Sequence, residues 1–64
     1  MIRVHDVQPG ETLIDIALYY YTTSNMQALK RYALSIYRHN PEMDNPNHVY
    51  PGMALVIPHH PDND

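Results

Sequence analysis

The chain has 64 residues, no cysteine and a formal net charge of -3. At this length it makes one domain at most, and without thiols it has neither a disulfide framework nor thiolate chemistry. Arg3, Lys30, Arg31 and Arg38 are its only arginines and lysines, too sparse for a phosphate-binding footprint. No apolar run approaches the roughly 18 residues that span a bilayer, so neither nucleic acid nor membrane is an expected partner.

In MIRVHDV, Ile2, Val4 and Asp6 alternate with Arg3 and His5. Period two predicts a short strand ending near Val7. The segment lacks the apolar stretch of an export signal. Gln8-Pro9-Gly10 turns the chain, because Pro9 fixes φ and Gly10 tolerates positive φ. Thr12 follows as an N-cap, and Asp15 three residues later completes a capping box. The helix predicted from here runs over 13–21. Glu11 and Asp15 lie at its positive end, which they stabilise modestly. Leu13, Ile16, Ala17 and Tyr20 recur at i, i+3, i+4 and i+7, one buried helical face.

Ile14, Leu18 and Tyr21 form a second apolar stripe on the same helix. Three consecutive tyrosines, 19–21, sweep about 200° of a helix, so at least one faces outward. We expect the stripe Ile14, Leu18 and Tyr21, together with Tyr37, to be a partner interface, since contiguous exposed apolar surface marks contacts.

TTSN interrupts the pattern. Ser24 and Gln27 predict a second capping box, opening a helix over 25–39. Met26, Leu29, Ala33 and Ile36 make its apolar helical stripe, bordered by Leu34 and Tyr37, and Pro41 stops it. Residues 40–52 carry three prolines and three asparagines and read as loop. In MALVIP, Leu55 and Ile57 alternate with Ala54 and Val56, a strand ended by Pro58. The expected organisation is a folded domain over 1–58 and a flexible polar tail over 59–64.

The order is strand, helix, helix, strand. The fold class is therefore α+β, a βααβ unit: a two-stranded antiparallel sheet with both helices on one face. Two strands alone are marginal, so helix packing must hold them. Glu11 and Asp15 are four apart, but helix N-terminal chemistry accounts for both and we assign no catalytic residue. The five histidines show no metal-ligand spacing, so no metal or cofactor is expected.

Two anchors, VQPGETLIDIA at 7–17 and NPNHVYPGMALVIP at 45–58, with Asn40 between them, resemble the LysM family. They look like its strand-PGDTL-helix opening and its closing PGQ-x-L-x-IP strand. Glu11 stands for the usual Asp, and Met53 for the usual Gln. The resemblance implies a groove for N-acetylglucosamine-containing glycans, with Gly10, Glu11, Thr12 and Leu13 facing Val49, Tyr50, Pro51 and Gly52. The segment from Leu13 to Asn40 is longer than in cell-wall LysM repeats and looks like the variants in phage contractile-tail baseplates. On that likeness we expect a non-enzymatic structural adaptor of a phage tail, baseplate or related injection machine. It would join other tail or baseplate proteins, or copies of itself, in a virion tail assembled in the host cytoplasm. The alternative is a glycan-binding module that recognises peptidoglycan.

Overall fold

The computed structural model describes residues 3–59. The chain runs β1 (Arg3–Asp6), α1 (Leu13–Tyr20), α2 (Met26–Arg38) and β2 (Ala54–Ile57). β1 and β2 pair antiparallel, with Arg3 opposite Ile57 and Asp6 opposite Ala54. This is the βααβ unit expected from the sequence. Ile2 and residues 60–64 of the expected tail lie outside the described residues.

α1 begins at the expected capping box. Thr12 Oγ1 accepts from the Asp15 amide at 3.2 Å, and Asp15 Oδ2 accepts from the Thr12 amide at 3.0 Å. The second cap differs from the expected one. Asn25, not Ser24, opens α2: its Oδ1 accepts from the Gln27 amide at 2.9 Å and the Ala28 amide at 3.3 Å. Asn at the cap satisfies both orphan donors by itself, so the helix starts one residue later than a Ser24–Gln27 box requires. The buried face of α2 is carried by Ala28, Leu29, Ala33 and Ile36, and Met26 is 58% exposed. Met26, the first residue of the helix, lies beyond the edge of the core.

The core lies between the helix pair and one face of the sheet. Ile16 of α1, Ile36 of α2, and Leu55 and Ile57 of β2 form its centre, and Met43 closes it from the loop. Each such side chain contributes about 1.5–3 kcal/mol by leaving water. On β1 the covered positions are polar. Arg3 and His5 face the helices, while Val4 is 57% exposed on the open face opposite Val56. The Arg3 guanidinium lies 5.3 Å from the Tyr20 ring centroid and 5.7 Å from that of Tyr21. Its Nη2 donates to the Pro58 carbonyl at 2.9 Å. A cation over two aromatic faces, with its stem along apolar surface, is tolerated at such an edge.

Pairing continues beyond the strands. The Val7 amide donates to the Met53 carbonyl at 2.9 Å, and the Gly52 amide donates to the Val7 carbonyl at 3.0 Å. Gly52 does this at φ +93°, a conformation in which a Cβ is strained. Both family-like Pro-Gly turns are thereby brought to the same end of the sheet.

Candidate functional site

A groove of about 390 Å³ opens between the β1–α1 loop, one face of α2 and the loop before β2. Glu11, Thr12, Leu13 and Ile14 form one side; Lys30, Ala33 and Leu34 form the second; Pro46, Asn47 and Val49 form the third. Lys30, Ala33 and Leu34 share a helix face because they stand at i, i+3 and i+4. Ala33, the smallest side chain of the three, leaves room between its neighbours. The third side is held by an Asx turn: Asn45 Oδ1 accepts from the Asn47 amide at 2.9 Å. Behind it, Met43 is buried in the core and ties the loop down.

The walls are mostly apolar, with four polar residues among them. The Thr12 hydroxyl is committed to the capping box, donating to Asp15 Oδ2 at 3.0 Å. Glu11 Oε1 accepts from the Gln8 amide at 2.8 Å and pairs with His5 Nε2 at 2.9 Å. Chiefly the Gln8 amide, and then His5, holds the Glu11 carboxyl below its ordinary range. An ionised carboxylate only accepts, so His5 Nε2 carries a proton. In the neutral imidazole, Nδ1 then accepts from the Tyr20 hydroxyl at 2.9 Å. Burial first, and Tyr19 next to it, push the Tyr20 phenol up. Glu11 is thus braced from behind by β1 and α1. The carboxamide of Asn47 and the ammonium of Lys30 have no hydrogen-bond or ion-pair partner among the described residues.

A family model, LysM domain, matches residues 5–58. The chain belongs to the LysM family. No curated protein and no solved structure gives a significant match. LysM domains bind glycans of the peptidoglycan and chitin class, and the groove lies between the two loops that carry the LysM motifs.

Of the residues placed in a glycan groove by resemblance, Glu11, Thr12, Leu13 and Val49 line it. Gly10 sits in the turn below at φ +84°. Pro51 and Gly52 form the turn that joins the loop to the sheet. Tyr50 faces the other side of the loop, its ring 5.6 Å from that of His48. Sequence reasoning missed Lys30, Ala33, Leu34, Pro46 and Asn47; the i, i+3, i+4 spacing of the α2 trio puts it on one helix face but does not show that this face borders the β1–α1 loop.

The expected interface stripe is broken up. Tyr21 does not face outward: it is 9% exposed, packs against Tyr32 at 5.4 Å between centroids, and donates its hydroxyl to the Pro58 carbonyl. α1 ends at Tyr20, and Tyr21 takes extended angles, φ -123° and ψ 101°. A helical wheel carried one residue too far therefore assigns its side chain to the wrong side. Ile14 is half-buried and lines the groove, and Tyr37 packs partly buried against the core. Leu18 remains outward at 51% exposure, beside Tyr19 at 75%. Among the described residues no group of three or more His, Asp or Glu side chains is placed to hold a metal ion. Nor, among them, is any helix long and apolar enough to cross a membrane.

Proposed function

We propose that this LysM domain binds N-acetylglucosamine-containing glycans in the groove between its two motif loops. The observation that carries this is the lining itself: apolar Leu13, Ile14, Leu34 and Val49 around the unengaged carboxamide of Asn47. An N-acetylated sugar offers a flat apolar face and an acetamido methyl to such walls, and its amide and hydroxyls to Asn47. The volume lies in the range of small-ligand sites, about 300–1,000 Å³. Titration with N-acetylglucosamine oligomers, followed by amide shift perturbation, tests this. Shifts should concentrate at 11–14, 30–34 and 46–49, with a Kd of roughly micromolar to millimolar. Silence of those segments at saturating sugar rejects the proposal.

A second function, a protein-joining adaptor of a phage tail or baseplate, was expected from the longer helical segment. Leu18 and Tyr19, exposed side by side on α1, support a docking role of that kind. With Tyr21 in the core and Ile14 in the groove, that surface is much smaller than the stripe expected from sequence. We therefore place glycan binding first.

A further inference from the structure

The groove has one feature that a neutral amino-sugar does not use. Lys30 stands on its lip, exposed, one helical turn before Ala33 and Leu34. Among the described residues no carboxylate pairs with its ammonium. The other charge in the lining, Glu11, belongs to the loop preceding α1 and is already engaged by the Gln8 amide and His5. Lys30 thus presents a cation to a bound glycan, while the local anion is held by its own turn.

We infer that Lys30 makes the groove prefer an amino-sugar oligomer carrying a carboxylate substituent over a neutral one of the same length. This rests on the glycan-binding proposal and refines it. The apolar walls and Asn47 hold the N-acetylated sugar, and the ammonium pairs with an acidic group projecting from that sugar or its neighbour. Such a carboxylate has two sources in a cell-wall glycan: an ether-linked lactyl group on the sugar, or a peptide attached to that group. An exposed pair of this kind is screened by salt and is modest in strength, so the expected preference is about three- to fivefold at low salt.

The test is calorimetric titration of the full chain and its Lys30→Gln and Lys30→Arg variants against three oligomers of equal length. One contains only N-acetylglucosamine, the second carries free lactyl carboxylates on alternate sugars, and the third has those carboxylates amide-linked to a short acidic peptide. The wild-type chain should bind at least one acidic oligomer about three- to fivefold more tightly than the neutral one. Lys30→Gln should weaken the acidic oligomers more than the neutral one and so erase that preference, Lys30→Arg should keep it, and raised salt should diminish it. The second and third oligomers tell a lactyl from a peptide carboxylate. If neutral glycan binds and the acidic ones bind no better, or if Lys30→Gln weakens all three alike, Lys30 has no such role and the groove proposal stands. If the wild-type chain binds none of the three, both proposals fall.

Discussion

Asn40 and Val56 exchange two hydrogen bonds through a single side chain. Asn40 Oδ1 accepts from the Val56 amide at 2.7 Å, and its Nδ2 donates to the Val56 carbonyl at 2.9 Å. The same Nδ2 donates to the Ile36 carbonyl at 2.6 Å, near the C-terminal end of α2. Asn40 therefore acts as a one-residue strand on β2 and ties the end of the helix to the sheet, at 1% exposure. Asn40→Ala strands those backbone groups, so unfolding free energy should fall by about 2–4 kcal/mol. Asn40→Asp should be no better at neutral pH, because it replaces the donor with a carboxylate facing two carbonyls. Urea denaturation of both variants measures this.

Tyr21 and Leu18 lie on one short segment but in opposite surroundings. Tyr21→Ala removes a buried ring, its hydroxyl bond to Pro58 and a cation–π partner of Arg3, and should cost about 3–5 kcal/mol. Leu18→Asp alters a half-exposed side chain and should stay within about 0.5 kcal/mol of wild type. Thermal melts of the two variants compare them. If Leu18 also docks a partner or a second copy, Leu18→Asp lowers the sedimentation mass at high concentration while leaving the melt unchanged.

Acid should weaken the fold through Glu11 and Asp15. Both carboxyls are held below their ordinary range, Glu11 first by the Gln8 amide and Asp15 first by the Thr12 amide. A carboxylate whose folded pKa is depressed contributes stability above its unfolded pKa and loses it as pH falls through the folded value. Their contribution to the melting temperature should thus hold above about pH 5 and decline below it. Glu11→Gln and Asp15→Asn should each lower the plateau and flatten the acid limb. A pH series of melts from neutral to strongly acidic conditions checks the sign.

The groove separates binding from stability. Asn47 is exposed and its carboxamide unengaged among the described residues, so Asn47→Ala should leave the melt near wild type. Loss of one sugar hydrogen bond should weaken N-acetylglucosamine oligomer binding by about 0.5–1.5 kcal/mol, roughly two- to tenfold. Leu34→Glu, placing a charge on the apolar wall, should weaken it at least as much. Titration of both variants with the neutral oligomer tests this.

Much of the fold was legible because local chemistry and topology agreed. The Thr12–Asp15 box, the Pro-Gly turns and the period-two closing strand each fix a short segment by its own residues. The misreadings fall where a segment's ends decide matters. Asn25 captured two amides and displaced the Ser24 cap, and Met26, as the first residue of α2, lies beyond the edge of the core. The extended angles of Tyr21 ended α1 and reversed the side to which that tyrosine turns. Of the groove lining, Glu11, Thr12, Leu13 and Val49 were legible through the family motifs. The α2 wall was not, because Lys30, Ala33 and Leu34 become one side of the groove only once α2 is seen to pack beside Leu13 and Ile14.

By itself the sequence determined the order of elements, the covered face of α1 and the membership of both Pro-Gly turns in one motif pair. Those depend on hydrophobic period, capping and backbone freedom, which act over a few residues. The tertiary structure decided which face of β1 is covered, because Arg3 finds two tyrosine rings there and His5 finds Glu11 and Tyr20. It also decided what Asn40 does and which apolar residues remain outside. These outcomes depend on contacts between residues far apart in the chain, such as Asn40 with Val56 and Tyr21 with Pro58, which no local pattern encodes.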